Sequence, residues 1–210
     1  SDDGGALIMD WCGATVLDCT FTKNYACVFG GAIRNFLSTI TVKNNTFENN
    51  HADNGGGAIY GFNSNILDSN FKNNSASVGG AVYCGQNTYI NNTFFTSNSA
   101  ENGGAIASED KALITNNTFK DNDAEFGSTI LLRYTKNNIT SNYIDNSKSD
   151  KCAIHDSYGD NFIENNYFTN PEKNISYGGF FIEFDENYAD LAGKTISFPF
   201  YVNYIGLPVR

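Results

Sequence analysis

Short apolar runs alternate with short polar runs along most of the chain, and the alternation keeps a fixed period. Gly103-Gly104-Ala105-Ile106 puts small residues ahead of an apolar anchor. A polar run follows, then Asn117-Thr118-Phe119, then Asn122 in a turn. The aromatic recurs as Phe21, Phe47, Phe71, Phe95, Phe119, Tyr143 and Tyr167, with a first step of 26 residues and steps of 24 thereafter. Asn24, Asn50, Asn74, Asn98, Asn122, Asn146 and Asn170 keep the same steps. The glycine half appears as Gly4-Gly5-Ala6-Leu7, Gly30-Gly31-Ala32-Ile33, Gly56-Gly57-Ala58-Ile59, Gly79-Gly80-Ala81-Val82 and the copy at 103–106. It loosens to Gly127-Ser128-Thr129-Ile130 and Lys151-Cys152-Ala153-Ile154.

A period in the low twenties suits one coil of a solenoid. Helical repeats need an apolar period of 3.6, and leucine-rich repeats need a leucine ladder; the chain has neither. Its apolar runs are short and β-prone, as in Leu37-Ser38-Thr39-Ile40-Thr41-Val42. Asn, Gly, Ser and Asp separate them, residues that tolerate turns. The predicted fold is all-β, a single-stranded parallel β-helix of about seven to eight coils, each roughly 24 residues with three short strands. At about 4.8 Å per coil, seven coils make a rod about 34 Å tall. Stacked Phe and Tyr rings fill the interior, each contributing about 2 kcal/mol. Stacked Asn amides form a hydrogen-bonded ladder along one turn.

The continuous register reads as one domain over residues 1–177. Residues 178–210 change pattern, and all three prolines (Pro171, Pro199, Pro208) fall in the last fifth. That tail reads as a last coil with a C-terminal cap, or as the lead into a following domain. Ser1-Asp2-Asp3 stands directly before a Gly-Gly-Ala motif, which reads as a piece excised from a longer protein.

The pairing of Gly-Gly-Ala-Ile with Phe-x-x-Asn resembles the repeats of chlamydial polymorphic outer-membrane proteins. It is more similar still to the adhesin-like surface proteins of methanogenic archaea. The resemblance covers about residues 4–170. It implies a right-handed coil, an extracellular, cell-surface location and attachment as the function; it implies no catalytic residues.

A net charge of −10 disfavours nucleic acid, whose binding needs Lys and Arg against phosphates. It also disfavours an anionic membrane surface, and no apolar run is long enough to span a bilayer. Five cysteines, Cys12, Cys19, Cys27, Cys84 and Cys152, lack a C-x-x-C pair. Three crowd into the first coil, where one disulfide is feasible; single cysteines in a solenoid column are usually core fillers.

Candidate binding residues come from the position after each anchor: Ile8, Arg34, Tyr60, Tyr83, Ala107, Leu131, His155. If the anchor points in, these point out. Tyr60 and Tyr83 would then stack on an outer face, with Arg34 one coil away and His155 further along. Such aromatics suit a sugar or a protein, unless the face is covered or the rings only brace each other. For catalysis the candidates are Glu109-Asp110-Lys111, then Asp121, Asp123 and Glu125, and His155-Asp156 with Asp160; each reads more simply as a solvated surface group. Asn44, Asn73, Asn91, Asn116, Asn138 and Asn174 begin Asn-x-Ser/Thr sequons. No cofactor is expected; calcium is the one ion acidic turns could take. The expected protein is a non-enzymatic adhesin fragment whose partner is a glycan or protein on another cell. A carbohydrate-active β-helix enzyme and a purely structural stalk are the alternatives.

Overall fold

The computed structural model describes residues 2–178 and the backbone of 203–204 and 207–208. Its core is a right-handed parallel β-solenoid of about seven coils. Among the described residues there is no α-helix, only a 3-10 turn at Pro171–Lys173. The proposed tail at 178–210 lies outside the described residues, except for Gly178 and a short antiparallel pair, Asn203–Tyr204 with Leu207–Pro208.

The second coil illustrates the cross-section. Its strands are Ile33–Phe36, Thr39–Lys43, Thr46–Glu48 and His51–Ala52. Left-handed corners at Leu37, Asn44 and Asn49 separate them, and Gly56 begins the next coil with φ +65. Each coil therefore has up to four strands, not three. They build parallel sheets of eight, seven, seven and four strands. Asn and Asp recur at the corners (Asp18, Asn44, Asp68, Asn92, Asn116) because they accept positive φ more readily than other non-glycine residues.

The two glycines of each motif do different jobs. The first, as Gly56, adopts positive φ. The second leaves no room for a side chain. A Cβ on Gly57 would run into the Gly80 carbonyl of the next coil and the Ser75 backbone of the fourth sheet.

Inside, the anchors Ile33, Ile59, Val82, Ile106, Ile130 and Ile154 pair in strict register and are fully buried. Phe21, Phe47, Phe71, Phe95 and Phe119 stack face to face at 4.7–4.9 Å, the spacing of the strands themselves. The Asn ladder runs beside them. Each Nδ2 donates to the next Oδ1, from Asn24 through Asn50, Asn74 and Asn98 to Asn122, at 2.8–3.0 Å. From Asn50 to Asn122 the second amide hydrogen goes to a backbone carbonyl of an earlier coil, as Asn74 to Phe47 at 3.0 Å.

Tyr143 and Tyr167 do not continue the Phe column. Phe119 pairs with Ile144, and Ile144 with Phe168. Leu132 pairs with Ser108 but Asn138 with Leu113, so an extra residue enters between Leu132 and Asn138. A one-residue slip turns a strand's other face inward. Tyr143 and Tyr167 stack outside, 44% and 61% exposed, with centroids 5.3 Å apart. The Asn ladder stops with them. Asn146 donates instead to the Asn170 and Lys173 carbonyls.

Candidate functional site

The outer face of the first sheet carries the expected column, in the expected register: Ile8, Arg34, Tyr60, Tyr83, Ala107, Leu131, His155. Anchors point in, so these side chains point out. They are not, however, an open platform. Ile8 is 56% exposed, but Tyr83, Ala107, Leu131 and His155 are buried and Tyr60 is half-buried. Two neighbouring outward columns close over them. Phe29, Gly55, Val78, Asn102 and Phe126 lie in bridge register on one side. Phe62, Gly85, Glu109 and Arg133 lie on the other, where the Phe62 ring occupies the space a Gly85 side chain would need.

Phe29 stacks on Tyr60 at 4.3 Å, Tyr60 stacks on Tyr83 at 5.0 Å, and Phe62 meets Tyr60 edge-on at 5.8 Å. The stacked faces meet along the rod axis and leave edges outward. A sugar ring packs on an aromatic face, so of the two readings of Tyr60 and Tyr83 the burial and stacking favour the one in which the rings brace one another. Arg34 pairs with Asp3 at 3.2 Å and lies over the Phe36 ring at 5.0 Å.

Coil stacking also assembles a polar trio. The Tyr83 hydroxyl donates to the Glu109 carboxylate and accepts from Arg133 Nη1 at 2.9 Å. Arg133 lies 4.0 Å from Glu109. Burial, reinforced by the bond to Glu109, pushes the Tyr83 phenol well above its ordinary pKa. Of these three, the anchor-plus-one column yields only Tyr83. The column three residues beyond each anchor (Phe36, Phe62, Gly85, Glu109, Arg133) carries the signal for the other two.

His155 and Asp156 face opposite sides of one strand and cannot act on one substrate. His155 turns outward, with Nδ1 2.9 Å from Ser176 Oγ and its ring tilted against Phe126; burial lowers its pKa. Asp156 turns inward, where Oδ1 accepts from the Gly159 amide at 2.8 Å and Asn161 Nδ2 at 2.7 Å. It holds a turn. Asp160 is exposed in that turn. The acidic runs are met by lysines: Asp110 by Lys111, Asp121 by Lys148 at 2.9 Å, Glu125 by Lys151 at 3.2 Å. A pocket of about 480 Å³ opens among Asp121, Asp123, Asp145, Lys148 and Asp150. Among the described residues, no three His, Cys, Asp or Glu side chains converge as a cation site requires.

The sequons divide by exposure. Asn44, Asn73 and Asn116 are exposed at left-handed corners. Asn91, Asn138 and Asn174 are half-buried; Asn91 donates to the Tyr89 hydroxyl at 2.7 Å, and Asn174 accepts from the Ile175 amide. All five thiols are free. Cys84 fills the core, where burial pushes its pKa up to about 12, whereas Cys12, Cys19 and Cys27 are exposed.

The profile of the right-handed β-helix region matches residues 30–196. The chain belongs to the right-handed β-helix family. Residues 18–35 of this β-helix also match the repeat of the Chlamydia polymorphic membrane protein. None of the curated proteins and none of the solved structures matches the chain. Among the described residues, no helix is long and apolar enough to cross a membrane.

Proposed function

We propose that this β-helix is an attachment region of an extracellular, cell-surface protein, a non-enzymatic rod whose outward columns meet a glycan or protein of another cell. One observation carries it. The inward columns repeat while the outward columns of the same strands do not. Ile33, Ile59, Val82, Ile106, Ile130 and Ile154 are near copies; of Arg34, Tyr60, Tyr83, Ala107, Leu131 and His155, only Tyr60 and Tyr83 are alike. Coil-on-coil packing forces the first set to repeat and lets the outward set differ from coil to coil, so recognition can reside in the outward groups that stay exposed. The short match to a polymorphic membrane protein repeat supports the surface location.

The buried middle of the strip supports its shape, and its exposed margins are the contact points. Phe36, Phe126 and Ile8 are 38%, 44% and 56% exposed. Replacing Phe36 and Phe126 together by Ser leaves the melting transition nearly unchanged and weakens attachment of the rod to cells or to a glycan array. Attachment at the parental level would remove this face from consideration. Release of reducing ends from polysaccharide by the parental protein would favour a carbohydrate-active enzyme instead.

A further inference from the structure

The fourth sheet carries an arrangement hidden in the sequence. Its strands turn Ala26, Ala52 and Ala76 inward. Tyr25, His51, Ser75 and Ser99 follow one another outward, coil upon coil. Asp53 stands two residues beyond His51 on the same side. His51 Nδ1 lies 2.8 Å from Ser75 Oγ, and Nε2 lies 3.2 Å from Asp53 Oδ1. The Tyr25 hydroxyl donates to Asp53 Oδ2 at 2.8 Å, and the Tyr25 ring stacks on His51 at 5.7 Å, nearly parallel at 8°. The His51 side chain is 47% exposed, yet it is held on three sides.

We propose that Ser75 is a nucleophilic serine, activated by His51 and positioned through Asp53, that accepts acyl groups from small activated esters or thioesters. Asp53 accepts the proton on Nε2, which leaves the Nδ1 lone pair facing the Ser75 hydroxyl. Ser75 Oγ forms a bond to the carbonyl carbon and its proton passes to Nδ1. The bond from that carbon to the leaving oxygen or sulfur then breaks, and the imidazolium returns the proton to the leaving group. An acyl-Ser75 ester and a free alcohol or thiol result, with no change of oxidation state.

The same geometry limits the substrate. The Ser75 amide donates to the Asn50 carbonyl and the Ser99 amide to the Asn74 carbonyl, each at 3.0 Å. Those ladder amides are spent and cannot hold a carbonyl oxyanion. Loss of one such donor slows acyl transfer by about 10²–10³-fold. Only a good leaving group compensates, and the open, flat face suits a small acyl donor. This chemistry goes beyond the attachment function and does not rest on it.

Ser99 is a built-in control. It occupies the same outward column one coil on, with Ser75 rather than a histidine beneath it. On brief exposure of the whole chain to p-nitrophenyl acetate, mass spectrometry with peptide mapping finds acetyl on Ser75 at about 10²-fold the rate at Ser99. His51→Gln, which keeps a hydrogen-bonding side chain, lowers the Ser75 rate by a similar factor while the thermal melt is retained. Asp53→Asn lowers it too and moves the neutral His51 proton to Nδ1, read from the ¹⁵N shifts of the ring. Equal acetylation of Ser75 and Ser99, no acetyl on Ser75, or a Ser75 rate indifferent to His51→Gln would each overturn the proposal. The comparison of the two serines needs no variant to fold.

Discussion

Coils two to five and coils six to seven solve the same packing problem in different ways. In the first set backbone closes a fourth side of the core, a sheet strand in coils two to four and the bridged Asp123 segment in coil five, and each second glycine is pressed by that segment and by the carbonyl of the next coil. Gly31, Gly57, Gly80 and Gly104 all meet that pair of obstacles. The fourth sheet ends at Ser99–Asn102, and coil five adds only isolated bridges from Asp123 and Phe126. Beyond it the same position holds Ser128 and then Cys152. Ser128 is fully buried and its side chain is accommodated. The Gly-Gly motif thus goes with a closed fourth side, strand or bridge, rather than with the coil as such.

The sharpest way to break this contrast is to exchange the two solutions. Gly80→Ser puts a side chain where the Gly104 carbonyl and the Ser99 backbone stand. It should cost more than about 3 kcal/mol and lower the chemical-denaturation midpoint sharply. Ser128→Gly, by comparison, should cost about 1 kcal/mol or less, because it removes only a hydroxyl and some chain stiffness. Equal losses would mean that the fourth sheet is not what excludes a side chain.

The aromatic column gives the next largest effect. Phe71→Ala removes a fully buried ring stacked on both faces and should destabilise by about 4 kcal/mol. Tyr143→Ala takes away a 44% exposed ring and should cost about 1 kcal/mol or less. A loss at Tyr143 as large as at Phe71 would restore the unbroken 24-residue register and contradict the slip at Leu132–Asn138.

The ladder is tested by Asn74→Ala. That change leaves the Asn50 backbone amide and side-chain amide without their shared acceptor. A loss of about 2–3 kcal/mol is expected, with faster hydrogen exchange at the Asn50 amide. Undiminished protection there would show that the ladder adds order without stability.

The smallest effects concern pH, and their signs differ along the rod. His155 in coil seven has a lowered pKa because burial disfavours its charge. The unfolded chain takes up that proton first, near the ordinary value of 6.5. Its contribution is complete above that pH and is lost as the pH falls below it. The melting temperature should drop on acidification from about pH 7 to 5, less steeply in His155→Gln. Tyr83 in coil four has a raised pKa from burial and the Glu109 bond. Its contribution is present below the ordinary phenol value of 10.0 and is lost as the pH rises past it. Tyr83→Phe should flatten that alkaline loss.

Much of the fold was legible because a solenoid writes each coil in the same order. The anchor column and the Phe column follow from spacing alone, and the outward column from the anchor that precedes it. The slip before Asn138 is not legible in the sequence because Tyr143 is aromatic too and stands 24 residues after Phe119. Side-chain type cannot reveal which of Tyr143 and Ile144 faces inward; only the strand pairing does. The His155–Asp156 pair reads from the sequence most simply as a surface pair, yet both residues are buried, on opposite sides of the strand. In a strand, neighbours point apart.

The sequence by itself determined the coil, its period, its parallel stacking and most of its interior, because inward positions must repeat when every coil rests on the last. It could not determine what meets outside. The trio of Tyr83, Glu109 and Arg133 and the run of Tyr25, His51, Asp53 and Ser75 join residues from different coils, whose contacts depend on corner geometry and rotamers rather than on any local pattern. The tertiary structure also decided which outward groups stay open. Phe29, Phe62 and Val78 pack against the Tyr60 and Tyr83 rings, whose burial is a property of their neighbours.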